Sequence, residues 1–206
     1  LRAAPAQAIR ALQELVGDGA MPIHIHISEQ TGEVDDCLKA HGKRPIAYLC
    51  ESFAPDTRWQ LVHATHASER EIDALARCGA GIVICPATEA NLGGGLTDLS
   101  AWLRCGVPMA IGSDSHVVRN WPEELRWLEY GQRLALRKRN VAAAPGRQDA
   151  TAARLFDAVL RAGGPAAGQD QWGLVVGARA DALVIDTQAP GLLGVPDGHQ
   201  LDALVF

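Results

Sequence analysis

A chain of 206 residues can build one domain, or one and a half, around a sizeable core. Its 48% hydrophobic and 21% charged residues match an ordinary globular protein. A net charge of -5 argues against a general nucleic-acid binder, because phosphate binding needs a clustered basic surface. The basic run of Arg133, Arg137, Lys138 and Arg139 falls at the end of a predicted helix, where cations complement the helix dipole. No apolar run approaches the roughly 18 residues of a membrane span, and no signal-peptide pattern is present. The five cysteines are odd in number and lack a Cys-x-x-Cys pair, so reduced core thiols in a cytoplasmic protein are expected.

In chain order, Ile23-His24-Ile25-His26-Ile27 alternates as a strand does, with the histidines on one face and the isoleucines on the other. Residues 32–53 are helix-rich, and residues 58–65 read as a second strand. Ser68 with Glu71 forms a capping box for a helix whose apolar stripe includes Ile72, Leu75 and Ala76. Residues 81–84 give a third, wholly apolar strand punctuated by Cys85-Pro86. A short helix over 99–104 leads to a fourth strand at 108–113. A long amphipathic helix is predicted over 122–139, with Pro122 in its first turn. Another is predicted over 151–162, stopped by Gly163-Gly164.

Continuous apolar strands separated by helices imply βα units and a parallel sheet covered on both faces. Beyond Gly168 the pattern changes. Residues 174–177 and 182–185, with a turn between them, suggest a β-hairpin, and residues 201–206 a third strand. The chain begins without an initiator Met and ends in an apolar stretch, which suggests a piece of a longer protein.

Parallel barrels place their active sites at the C-terminal ends of the strands. Here the predicted strands end in His26 with Glu29 close behind, in His63, in Cys85-Pro86, and in Ser113-Asp114-Ser115-His116. Imidazole and carboxylate from different strands are ligand types that zinc uses. Each residue also has an ordinary structural reading. His24 and His26 would satisfy a core, Glu29 would cap the following helix, Asp114 would form a turn, and His66 and His116 would lie on the surface. The Gly93-Gly94-Gly95 run, without a following Lys-Ser/Thr, reads as a loop rather than an anion cradle.

The segments His24-Ile25-His26-Ile27-Ser28-Glu29-Gln30, Leu61-Val62-His63-Ala64-Thr65-His66, residues 85–93 and Ile111-Gly112-Ser113-Asp114-Ser115-His116 resemble the second half of an amidohydrolase-superfamily deaminase. The likeness is to the formimidoylglutamate deiminases (N-formimino-L-glutamate iminohydrolases) of histidine degradation. It extends to the Gly177-Ala178-Arg179-Ala180-Asp181 turn, typical of a small β-sandwich in that family.

The resemblance implies an α/β fold, the C-terminal half of a metal-dependent (β/α)8 TIM-type barrel. Strands 5 to 8 and their helices would occupy residues 1–165, and part of the β-sandwich domain residues 166–206. It implies one divalent metal ion, zinc first, held by His26 and Asp114. Glu29 would be the proton shuttle and His63 the residue orienting the attacking water, with Asp114 acting also as base. Arg2 and His116 would bind substrate, Arg2 through a carboxylate.

The superfamily's His-x-His pair on the first barrel strand has no counterpart, since His24-x-His26 sits in the context of the fifth. The chain alone is therefore expected to bind metal poorly and not to turn over. The expected partner is a small-molecule substrate, without nucleic acid or membrane, and the full-length protein is a candidate homodimer. Two alternatives stay open: a superfamily hydrolase acting on a heterocyclic amine or triazine-like ring, and a non-catalytic structural fragment.

Overall fold

Parallel strands cannot be joined by a tight turn, so each must be followed by a crossover long enough to return the chain to the same end of the sheet. The computed structural model, which describes residues 4–115 and 119–206, follows that rule. Strands β1 (Ile23–Ile27), β2 (Trp59–His63), β3 (Gly81–Ile84) and β4 (Met109–Ile111) pair in the order β1-β2-β3-β4, every pair parallel. Helix α1 (Ala6–Val16) precedes them. The crossovers are α2 (Thr31–His41) with α3 (Pro45–Phe53), then α4 (Glu69–Cys78), then α5 (Pro86–Leu92) with α6 (Leu99–Cys105). Helices α7 (Trp121–Leu136), α8 (Thr151–Ala166) and α9 (Gln200–Val205) complete the described elements. Among the described residues no helix is long and apolar enough to cross a membrane.

The four predicted strands all form. β2 and β3 are buried at every position, as central strands covered on both faces must be. Edge strand β1 alternates instead: Ile23 and Ile27 are buried, while His24 and His26 are exposed. The predicted helical stretch 32–53 divides in two, because Gly42 takes the left-handed conformation that ends α2 and Pro45 opens α3. Gly163-Gly164 does not stop α8. The Trp172 side chain folds back on that pair so closely that a Cβ on Gly164 would lie 2.5 Å from it, so these glycines serve packing rather than termination.

Two buried carboxylates tie the helices together through backbone amides. Glu71 closes the predicted capping box with Ser68, and it also accepts the amides of Ile46 and Ala47 at the start of α3 and the Nε of Arg44 at 2.8 Å. Burial pushes the Glu71 carboxyl up, but the hydrogen bonds from Arg44 and Ser68 outweigh it and the net pKa is lowered. Glu129, fully buried on α7, accepts the amides of Val141 and Ala142 and the Nε of Arg133, which fixes the chain after α7.

The C-terminal segment departs from expectation. Residues 174–177 and 182–185 form no strand, and Leu174, Val176, Leu183 and Val184 are exposed. A two-stranded hairpin with no third strand and no packed face is marginal in water, and these residues have neither. Residues 201–206 are not a strand either. Gln200–Val205 instead form α9, which buries Val205 and places Asp202 to accept the Ala152 amide in the first turn of α8, a helix that lacks a cap of its own. The apolar run hides that capping role.

Removing the Glu71 carboxylate leaves Arg44 and several amides without their acceptor. Glu71→Ala should cost about 3–5 kcal/mol in chemical denaturation. Because the folded-state pKa is lowered, the carboxylate's stabilisation is complete above its ordinary value of 4.5 and fades as pH falls through the lower folded value. Glu71→Gln should flatten that part of the acid dependence, read from denaturation midpoints across the same pH range.

Candidate metal centre

The pairing of β1 with β2 sets Ile27 beside His63, so the C-terminal ends of the two strands finish level. β1 presents His26 one residue before its end, on its exposed face. The chain then turns at Ser28, whose φ is 51°, and the Glu29 amide donates to Glu33 Oε2 at 2.9 Å in the first turn of α2. β2 ends at His63. There the Ala64 amide donates to the Val62 carbonyl at 3.1 Å across a residue with φ of 71°, the pattern of the rare and strained γ-turn. Asp114 follows β4 with φ of 43°. Side-chain-bearing residues seldom adopt positive φ, and four of them, Ser28, His63, Ala64 and Asp114, mark the strand ends that carry the candidate ligands.

These turns bring His26, His63 and Asp114 together. One potential ligand atom from each lies within 4.8 Å of the others. His26 Nε2 is 4.0 Å from Asp114 Oδ1, and the two imidazole rings meet edge to face at 5.1 Å. His63 is buried and neither ring nitrogen makes a hydrogen bond, although Nδ1 stands 3.5 Å from Glu89 Oε1. Burial alone would push the His63 pKa down. The carboxylates of Glu89, Glu29 and Asp114 outweigh it and hold it above the ordinary histidine value. For Cys85, at the end of β3, burial acts in the same direction as its neighbours: with Glu89, Asp114 and Glu124 nearby, it raises the thiol pKa and keeps it protonated.

Two imidazoles and a carboxylate that converge in this way are a donor set that suits a divalent ion such as zinc. The buried His63 nitrogens, lacking hydrogen bonds, fit the same purpose. The cluster therefore contains the expected ligands His26 and Asp114 and adds His63 as a third donor.

Glu29 lies close enough to influence the proton affinity of His63 but is outside the three-residue cluster. Arg2 and His116 lie outside the described residues. His24, on the same face as His26, bonds through Nε2 to the Ala166 carbonyl at 2.8 Å, which is the structural role expected of it. His66 bonds the Gly94 carbonyl at 2.8 Å and so pins the glycine loop after α5. Of the five cysteines, Cys37 and Cys85 are buried and Cys50, Cys78 and Cys105 partly exposed, so the expected core placement holds for two of them.

Sequence reasoning gives no role to α5, whose side chains brace the site. Thr88 Oγ1 donates to the Ser113 carbonyl at 2.8 Å, directly before Asp114, and Glu89 faces His63. In the sequence Pro86 reads only as the end of a strand, although proline in a first helical turn is the one available signal.

Comparison with known proteins agrees with this geometry. The profile of the Amidohydrolase family matches residues 2–206. The chain is 47% identical over 190 residues to a formimidoylglutamate deiminase of Pseudomonas aeruginosa, covering 92% of this chain and 42% of that protein. It is 34% identical over 178 residues to a 5-methylthioadenosine/S-adenosylhomocysteine deaminase of Halobacterium salinarum, covering 86% and 40%. A crystal structure of an adenosine deaminase from Xanthomonas campestris with bound zinc superposes with a TM-score of 0.84 at 26% identity, covering 98% of this chain and 45% of that one. The chain thus spans less than half the length of these relatives. Its parallel sheet of alternating strands and helices, its cluster at the strand ends and the profile match over nearly its whole length together place it in the amidohydrolase family.

Proposed function

We propose that the protein carrying this chain is a metal-dependent hydrolase that deaminates N-formimino-L-glutamate to N-formyl-L-glutamate and ammonia. The observation that carries the reading is the convergence of His26, His63 and Asp114 at the strand ends, with Glu29 beside them. The choice of substrate is supported by the 47% identity to the Pseudomonas deiminase. In this reading residues 1–165 are half of a TIM-type barrel and residues 166–206 belong with a smaller β domain. The protein works in the cytoplasm on a small molecule, with a homodimer as its assembly.

His26 and Asp114 would hold the ion, with His63 able to join them. When bound, a divalent ion supplies Lewis acidity and lowers the pKa of water from about 15.7 to about 7. Asp114 accepts the proton of the attacking water, whose oxygen adds to the formimino carbon. His63 orients that water. Glu29 carries a proton to the imine nitrogen, takes up the hydroxyl proton of the adduct and passes it to the departing amine as the carbon–nitrogen bond breaks, which releases ammonia and leaves the formyl oxygen; the proton held by Asp114 then restores Glu29. Its place, three residues after His26 at the same strand end, suits transfer within hydrogen-bond reach. Arg2 and His116 are proposed to bind the substrate on sequence likeness.

A second reading, deamination of a heterocyclic amine, is supported by the identity to the methylthioadenosine deaminase. The two are separated by ammonia release from N-formimino-L-glutamate and from adenosine, using the zinc-loaded full-length protein. Release from the formimino acid, abolished by Asp114→Asn, is expected. Release only from the nucleoside would reassign the substrate while leaving the centre in place. Glu29→Gln should retain its zinc, measured by elemental analysis, while turnover falls by roughly 10² or more. Loss of zinc in that variant would mean that Glu29 is a ligand rather than a shuttle.

A further inference from the structure

Glu89 is a buried carboxylate to which the reaction just described gives no task. It is 6% exposed and sits on α5 facing the end of β2. Its carboxylate is not free to wander. Oε1 accepts the Cys85 amide at 3.3 Å, which ties it to the turn between β3 and α5. The helix itself is anchored from two sides. Glu124 Oε2 on α7 accepts the Ala87 amide at 2.8 Å, and Thr88 Oγ1 donates to the Ser113 carbonyl at the end of β4. α5 is thus a short brace with fixed footholds, and it aims the same Oε1 at His63 Nδ1 from 3.5 Å.

His63 needs such a partner. Its side chain is 1% exposed and neither ring nitrogen has a hydrogen bond. A buried polar group without a partner is costly, and a neutral imidazole has to place its single proton on one nitrogen or the other. A carboxylate facing Nδ1 decides between them, because it accepts a proton there and repels a lone pair. The separation is a few tenths of an ångström longer than a good hydrogen bond and within reach of a small ring rotation. The backbone adds its own constraint, since the γ-turn at His63 limits how the ring can be carried.

We propose that Glu89 is a positioning residue that holds His63 as the Nδ1–H tautomer, which leaves Nε2 with a lone pair rather than a proton. A lone pair at Nε2 can accept a hydrogen bond from attacking water or take a ligand place beside His26 and Asp114. A proton there would block both. The arrangement follows the general use of carboxylates behind the histidines of metal sites, where the outer partner fixes tautomer and ring orientation. The inference builds on the proposed metal centre, but it concerns only the location of one proton and requires neither metal nor substrate to be tested.

The test is long-range proton–nitrogen NMR of the uniformly 15N-labelled, metal-free full-length protein, with His63 assigned by the signals missing from His63→Asn. Spectra are read at a pH where the nitrogen shifts show a neutral ring. The expected pattern is a protonated Nδ1 and an unprotonated Nε2. Glu89→Gln, whose amide oxygen still accepts at Nδ1, should keep that pattern, and Glu89→Leu should lose it while the other histidines are unchanged. A wild-type His63 protonated at Nε2 overturns the proposal, as does an Nδ1–H tautomer that survives in Glu89→Leu. If Glu89→Leu does not fold, the wild-type and Glu89→Gln spectra still decide. In the zinc-loaded full-length protein, Glu89→Leu should also lower kcat by about 10–100-fold with KM little changed, and Glu89→Gln should recover most of it. Absence of formimino-glutamate turnover in the wild type would count against the substrate reading alone, because the NMR result does not depend on it.

Discussion

Everything at the candidate centre depends on one constraint, the parallel alignment of four strands that all finish at the same edge of the sheet. Parallel pairing makes the helical crossovers obligatory, and those crossovers bury both faces of β2 and β3. With the faces sealed by apolar side chains, the strand ends are where polar groups can gather without desolvation cost along the sheet. His26, His63 and Asp114 come from β1, β2 and the residues just past β4, far apart in sequence, and register together with the strand-end turns brings them within 4.8 Å. A slip of one residue in β1 would exchange the faces of Ile25 and His26 and dismantle the cluster.

The edge is then shaped by strain and by carboxylates. Ser28, His63 and Asp114 all have positive φ, which aims side chains that an extended strand would point elsewhere. Such turns persist only where surrounding contacts over-determine them. Glu33 holds the Glu29 amide, Thr88 holds the Ser113 carbonyl, and Glu89 faces His63. Further from the centre, Glu71 and Glu129 gather backbone amides from separate segments in the same way. At Glu71 and Glu129 the buried charge is satisfied by several donors, the condition under which its burial is tolerable.

How much of this is legible in the sequence follows from which signals are local. The four strands are legible because short, continuous apolar runs set between helices are what a parallel sheet buried on both faces requires, and the alternation of His24 and His26 with isoleucine places both on one face. His26, Glu29, His63 and Asp114 are legible from their positions at strand ends together with the family resemblance. Distinguishing His24 from His26 needs the partner, since the Ala166 carbonyl bonded to His24 is 142 residues away. Glu71 is visible only as a local cap, because its bonds to α3 are non-local. Glu89 is hidden for the same reason. The glycines of α8 have the form of a helix stop, and only the Trp172 ring lying on them reveals their packing role. The expected hairpin rests on apolar residues, the turn between them and the family resemblance, and the final strand on apolar residues alone. Composition cannot say whether a partner strand is there to receive them, or that Asp202 is needed to cap α8.

The strand-end cluster is proposed to be a metal centre built from imidazole and carboxylate. The most direct measurement is zinc K-edge X-ray absorption of the full-length protein, alongside His26→Ala and Asp114→Ala. A zinc ion held there should show a shell of nitrogen and oxygen at about 2.0–2.2 Å, and both variants should lose stoichiometric zinc. A sulfur neighbour at about 2.3 Å would draw Cys85 or another thiol into the site and contradict the proposal. Zinc bound unchanged after both substitutions would place the metal elsewhere altogether.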